Sequence, residues 1–354
     1  MARQRPRSVG AFFAEHLPVD WDFLRSFGSE PVPYHLQNWW WCLGGTPLYL
    51  FVVQVVTGIL LTFYYVPDPS AAHQSVAFIT EEVRFGWYLR SLHKWSANLM
   101  IVAVFLHLLR VFFTGAYRHP RELNWCVGLG LLGCTLGFGF TGYSLVYDQL
   151  SFWGATVASN LVEALPLVGK PAATLMRGGP EVSANTLTRF FVFHIGLFPT
   201  VMLALLFAHI ALVRLHGVTE LRFRHQPPRS ERTLPFWPHH ATTELLIGVL
   251  LMFVLTVLCL VFPAGLGPEA DPTVTPEHIR PEWYFFFNYR LLKLTSLETS
   301  VRLTLFAGTL IFFWPFLETA LAKVGIPRDF SVVLGVLGFL AFLALTVWEA
   351  FAGS

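Results

Sequence analysis

Seven stretches of this chain are apolar for about the 20 residues that a helix needs to cross the hydrocarbon core of a bilayer. They fall at roughly 42–65, 95–114, 125–147, 190–213, 242–262, 303–321 and 331–351. Within lipid every backbone N–H and C=O must be paired inside its own segment, so such stretches fold as helices. The predicted fold is therefore an all-α integral membrane protein with seven transmembrane helices. Composition closes the soluble alternative: 54% of the 354 residues are hydrophobic and 13% are charged, against roughly 25% charged in soluble proteins. A mean hydropathy of +0.55 leaves too little polar surface to cover a water-soluble globule. A cytosolic enzyme and a disordered chain are excluded, and a net charge of +2 is too small for a nucleic-acid binder.

Lys and Arg set the orientation. Segments 1–41, 110–124, 214–241 and 322–330 share one side of a seven-span chain and carry 14 of its 24 basic residues. That side is expected to be cytoplasmic (the n side) with the N-terminus, leaving the C-terminus on the opposite p side. No apolar run with a small-residue cleavage site follows the basic opening MARQRPRSVG, so no cleaved leader is expected. Residues 9–27 are amphipathic and are expected to lie along the lipid surface. Two long p-side connections, 148–189 and 263–302, are rich in aromatic residues, Pro and Gly, as folded interfacial segments are. The n-side stretch 216–241 divides a four-span half, 1–215, from a three-span half, 242–354.

A single imidazole in an apolar helix usually makes one structural hydrogen bond. Here there are two pairs: His93 and His107, 14 apart in the second span, and His194 and His209, 15 apart in the fourth. At about 1.5 Å rise and 3.6 residues per turn, each separation is roughly 21–22 Å and close to four turns. Each pair shares one helix face, with an imidazole near each membrane surface. The two spans run in the same direction, so His93 faces His194 near the p side and His107 faces His209 near the n side. Two facing imidazoles supply both axial positions of a haem iron, and the arrangement predicts two stacked haems in a four-helix bundle. Gly44 and Gly58, like Gly128 and Gly142, are also 14 apart. Glycine can serve close helix packing, but this shared period suggests room for a porphyrin edge at each level. Arg90 and Lys94 beside His93, and Arg214 beyond His209, are candidate partners for haem propionates or, equally, snorkelling interfacial cations.

The stretches WWWCLGGTPLYLFVVQVVTGILLTFYY (39–65), EVRFGWYLRSLHKWSANLM (82–100), HPRELNW (119–125), FTGYSLVYDQ (140–149) and PEWYFFF (281–287) resemble cytochrome b of quinol-oxidising bc-type complexes. The similarity covers almost the whole chain beyond about residue 35. It is greatest to the b6f-type branch, in which the two halves are commonly separate polypeptides, so the chain resembles a fusion of a cytochrome b6 with a subunit IV-like half.

That resemblance implies a Q-cycle. Quinol is oxidised near the p side; one electron goes to a Rieske iron–sulfur protein and a c-type cytochrome. The other crosses through two b haems to an n-side quinone, and protons are translocated. It further implies a homodimer in an energy-transducing membrane, most naturally a bacterial cytoplasmic membrane. Within the PEWY segment, Glu282 is implied as the proton acceptor from quinol, with Pro281 and Tyr284 beside it and Tyr143 and Asp148 walling the same pocket. A lone cysteine at a helix end is ordinarily an inert filler, the reading given to Cys126, Cys134 and Cys259. Cys42 precedes Leu43, Gly44 and Gly45 as in b6f-type proteins, which attach a third, c-type haem there by a single thioether. The chain departs from the family at Lys94, where arginine is usual, at Val146-Tyr147, where Pro-Trp is common, and at Phe287, where proline is usual. Two other functions compete: a di-haem anchor of another quinone-linked dehydrogenase, against which PEWY and TGYS argue, and a proton-coupled transporter with relay histidines. A transporter would carry broken helices and midplane charges.

Overall fold

The computed structural model describes residues 22, 28–29, 31–33, 39–219, 233–277 and 279–352. The expected surface helix at 9–27, apart from Asp22, and the basic stretch 220–232 lie outside the described residues. Contacts divide the chain into two compact units, Met1–Cys42 with Glu220–Leu250, and Leu43–Thr219 with Leu251–Ser354.

In chain order the α-helices are α1 (Gly45–Thr62), α2 (Ala72–Glu81), α3 (Gly86–Phe113), α4 (Glu122–Ser144), α5 (Gln149–Glu163), α6 (Gly169–Arg177) and α7 (Ala184–Val192). A π-turn, Phe193–Leu197, joins α7 to α8 (Phe198–His216), and α9 (Ala241–Val261), α10 (Phe286–Leu294), α11 (Leu297–Phe312), α12 (Trp314–Lys323) and α13 (Asp329–Phe351) follow. Six helical runs are long and apolar enough to cross a membrane, and α11 with α12 forms a seventh candidate bent by 67°. The second span begins at Gly86 and the fourth at Ala184, earlier than the apolar stretches suggest. Their first turns carry polar residues that a hydropathy window discounts but a membrane edge accommodates.

In the larger unit α1, α3, α4 and α8 share one core, built from Leu50, Phe51, Val53, Leu92, Met100, Ala103, Cys134 and Met202. Leu255 and Cys259 of α9 join it. Tyr88 and Thr256 hydroxyls lie 3.0 Å apart, and Trp95 Nε1 donates to Phe262 O at 2.7 Å. Outward faces carry Val52, Val56, Ile59, Phe253, Leu337 and Leu340, all exposed, as helices bathed in lipid require.

The expected sixth span is broken between α11 and α12. Pro315 has no N–H to give to the carbonyl four residues back, that of Ile311. Trp125 Nε1 of α4 fills the vacancy at 2.9 Å, and the Cys126 thiol donates to Phe312 O at 3.8 Å. Cys126 therefore does more than fill space. The smaller unit holds an element outside the all-α expectation: β1 (Pro31–Pro33) pairs antiparallel with β2 (Thr233–Pro235), Val32 opposite Leu234. Prolines at 31, 33 and 235 favour extended backbone over helix.

Candidate functional site

The four histidines meet as two pairs. His93 and His194 have ring centroids 6.2 Å apart at an interplanar angle of 69°. His107 and His209 are 6.3 Å apart at 73°. Two metal–imidazole bonds of about 2 Å each, plus about 1.1 Å from each nitrogen to its ring centre, give roughly 6.2 Å. Both pairs thus stand at the spacing of two axial ligands on one iron, and neither is close enough for a direct hydrogen bond between rings.

Each histidine also has its own glycine. A Cβ on Gly58 would lie 3.3 Å from His93 Cε1, on Gly44 3.5 Å from His107 Cε1, and on Gly128 3.6 Å from His209 Cε1. On Gly142 it would come to 2.7 Å from His194 Cε1, closer than real contacts allow. In the structure the imidazole itself meets the bare backbone, whereas the sequence suggested a porphyrin edge there. The other glycines of α4 face other side chains: Gly130 meets Leu205, Gly137 meets Phe198 and Gly139 meets Tyr284.

Two threonines missed in the sequence complete the first pair. Thr57 Oγ1 donates to Val53 O at 2.7 Å and lies 2.8 Å from His93 Nδ1. With its proton committed to the carbonyl, the hydroxyl accepts from Nδ1–H and leaves the Nε2 lone pair for a metal. Thr141 repeats this, donating to Gly137 O at 2.7 Å and sitting 3.1 Å from His194 Nδ1. Each threonine immediately precedes the glycine that receives the same ring, a Thr-Gly signal present in the sequence at 57–58 and 141–142. Gln54 Nε2 also donates to His93 O and Ser96 Oγ, both at 2.6 Å. At the second pair, Arg110 Nη2 is 3.3 Å from His107 Nδ1, and His209 Nδ1 is buried without a hydrogen-bond partner. The ring spacing fits a haem iron at both levels.

Spacings of 14 and 15 give matching pairs because of the π-turn that contains His194. Phe198 N donates to Phe193 O, five residues back, so one extra residue is absorbed in a widened turn. Pro199 follows and cannot supply the N–H that Ile195 O would take in a regular helix, while Thr200 Oγ1 takes up Gly196 O at 2.8 Å.

The candidate cations divide. Arg90 gives Nη1 to Ala264 O (2.9 Å) and Thr80 Oγ1 (3.2 Å) and Nη2 to Gly265 O (2.7 Å). Its guanidinium is thus engaged in fastening the connection after α9, a use the sequence did not suggest. Lys94 is exposed and makes no ion pair among the described residues, and Arg214 is exposed on the last turn of α8.

The PEWY segment enters as a 3-10 turn, Trp283–Phe285, with Glu282 at its N-cap. Tyr284 is buried and its hydroxyl packs onto Gly139 of α4. Burial pushes the Tyr284 phenol well above its ordinary value, and the nearby Glu282 and Tyr143 push it further. The Glu282 side chain, half-buried like Pro281, makes no hydrogen bond among the described residues, so its carboxylate is available for a substrate proton. Trp283 Nε1 donates to Asn98 Oδ1 at 2.5 Å. Asp148 behaves differently: it N-caps α5, accepting from Ser151 N at 2.9 Å. Its carboxylate fixes the helix start.

Arg280 donates to the carbonyls of Glu349 and Ala350. The fully buried Glu349 carboxylate pairs with Lys293 Nζ at 2.6 Å and Arg290 Nη1 at 3.7 Å. The last helix thereby clamps both ends of the segment. In the smaller unit Cys42 is buried and shares a hydrogen bond with Glu244.

Known proteins resemble this chain in sequence and fold. A family model described as cytochrome b/b6/petB matches residues 27–217, and one described as cytochrome b(C-terminal)/b6/petD matches 269–351. A cytochrome b6 of Heliobacterium modesticaldum is 44% identical over 206 residues, 58% of this chain and 97% of that protein. A cytochrome bc complex cytochrome b subunit of Chlorobaculum thiosulfatiphilum is 35% identical over 351 residues, 98% of this chain and 81% of its own length. A solved structure titled hyperthermophilic respiratory Complex III superposes with a TM-score of 0.82 at 26% identity, covering 96% of this chain and 91% of that one.

Proposed function

The chain belongs to the cytochrome b/b6 family and serves electron transport in a quinol-oxidising, bc-type complex, and from that premise we propose that its four membrane histidines hold two haem b groups. His93 and His194 would ligate the p-side haem, and His107 and His209 the n-side haem. The observation that carries this reading is the doubled centroid separation of 6.2 and 6.3 Å, with one glycine facing each ring. So held, the haems supply one-electron transfer from a p-side quinol to an n-side quinone, the quinol's other electron leaving for a Rieske protein and a c-type cytochrome.

The chain's own residues carry the proton work. Glu282, its carboxylate uncommitted near Tyr284 and Tyr143, accepts a proton from quinol. A carboxylate beside buried aromatic groups suits general-base work. Thr57 and Thr141 hold the p-side imidazoles in the tautomer that offers Nε2. Cys42 Sγ would hold a c-type haem through a single thioether. The four-span half, residues 1–215, is the haem domain, and the three-span half after the 216–241 linker builds the quinol site. We place the complex, as a homodimer, in a bacterial cytoplasmic membrane with its N-terminus inside.

A pyridine haemochrome assay on the purified chain is expected to give two b-type haems and one c-type haem. A reduced-minus-oxidised spectrum lacking a b-type band would refute the haem reading outright. Quinol-dependent reduction of a c-type acceptor is expected to fall by about 100-fold or more in Glu282→Gln, the lower end of the range for general-base removal, with both b haems retained. Unchanged turnover would remove Glu282 from the mechanism.

A further inference from the structure

The Glu282 side chain makes no hydrogen bond among the described residues, yet the chain on both sides of it is fixed. Before it, Arg280 is held to the last helix through the carbonyls of Glu349 and Ala350. After it, the Trp283 indole gives its N–H to Asn98 Oδ1 of α3 at 2.5 Å. Asn98 is itself held in place, because Nδ2 donates to Lys94 O, one turn back in the same helix, at 2.9 Å. An amide has one oxygen, and with Nδ2 turned to that carbonyl the oxygen faces the indole. The indole stands edge-on to the Tyr284 ring, centroids 5.6 Å apart at 84°, and Tyr284 is buried against Gly139 of α4. A shift of Trp283 therefore moves Glu282 and the aromatic wall beside it together.

The helix that supplies this hydrogen bond also supplies His93. α3 is one uninterrupted helix, Gly86–Phe113, and Asn98 lies five residues beyond His93, about 7.5 Å along the axis and roughly 140° around it. The His93 ring meets His194 of α8, while Asn98 meets the PEWY turn. Quinol oxidation sends an electron toward the first and a proton toward Glu282, and both acceptors must meet one substrate molecule. A misplacement of about 1 Å at a reacting group can cost roughly 100-fold in rate. We propose that Asn98 is a positioning residue for quinol oxidation, fixing the Glu282 carboxylate relative to the p-side histidine pair by holding the Trp283 indole. The inference rests on Glu282 as the proton acceptor and deepens that reading. No bond is made or broken at Asn98 during turnover.

The test uses the full chain in its purified complex, with Asn98→Ala, Trp283→Phe, Glu282→Gln and their pairwise doubles. Haemochrome content reports folding and is expected to stay at the parent's value. Asn98→Ala is expected to lower kcat for quinol-dependent reduction of a c-type acceptor by about 10–100-fold, with KM for quinol within about twofold of the parent. Trp283→Phe keeps a ring against Tyr284 but has no N–H. It is expected to give the same loss, and the two substitutions together no more than either alone, as the two ends of one hydrogen bond require. In Glu282→Gln no base remains to be positioned, so adding Asn98→Ala should change the rate by less than about twofold. Should Asn98→Ala lose haem, Trp283→Phe, which leaves α3 unaltered, carries the same comparison. A kcat per haem equal to the parent's, or one lowered by the same factor with and without Glu282, would overturn the inference and leave Glu282 in the mechanism. Unchanged turnover in Glu282→Gln would overturn the reading of Glu282 and this inference with it.

Discussion

At the scale of single residues, geometry turns each membrane histidine into part of a triplet. His194 meets the bare backbone of Gly142, and Thr141 holds its Nδ1. Gly142→Ala would place a methyl 2.7 Å from the ring. The expected result is loss of the p-side haem alone, read as a fall from two b haems to one in the haemochrome assay. Thr57→Val removes the acceptor for His93 Nδ1–H. Haem affinity at that level is expected to drop by about 10–100-fold, as for other groups that orient metal-bound imidazoles, with Thr57→Ser recovering most of it. Histidines and glycines were visible in the sequence by their period. The threonines escaped notice because a hydroxyl in a membrane helix usually bonds its own preceding turn, and these do that as well as touching the ring.

At the scale of elements, two irregular turns decide what a regular helix would spoil. Deleting Gly196 from the π-turn should restore an ordinary helix with the spacing of 14 already found in α3, and both b haems should persist. A one-residue insertion between His93 and His107, inside regular α3, turns the ring by about 100° and should eliminate one haem. Optical haem quantitation of the two variants checks both outcomes. The break at Phe313 depends on Trp125, whose indole serves the carbonyl that Pro315 cannot reach. Trp125→Phe removes that donor and leaves the carbonyl only its contact with Phe313 N–H, at a cost of about 1 kcal/mol, measurable as a lower Tm. Proline at 315 was legible as a hazard to the sixth helix. The bend of 67° was not, because it depends on a donor from α4.

At the scale of the whole molecule, buried acids tie the C-terminal helices to the rest of the larger unit. Glu318 accepts from Arg118 Nε and Nη2 at 2.9 and 2.8 Å, from Tyr117 at 3.0 Å and from Ser331 at 2.6 Å. Glu349 accepts from Lys293 Nζ at 2.6 Å and forms an ion pair with Arg290 Nη1 at 3.7 Å. Removing one partner of a buried pair costs about 3–5 kcal/mol; the Lys293 side chain is 42% exposed, which places Glu349→Gln at the low end. That variant is expected to lower Tm and quinol turnover together while b-haem content stays constant, because the clamp holds the PEWY segment and not the histidines. By itself the sequence determined the membrane class, because lipid demands length and apolarity that are countable, and it determined which helix faces carry imidazole, because helical period is a local property. Only tertiary structure decided how the rings are spaced, that Arg90 and Asp148 serve backbone groups, that Cys42 lies beside Glu244, and which buried acid meets which base. Those partners are far apart in the chain, and no local rule brings them together; packing does.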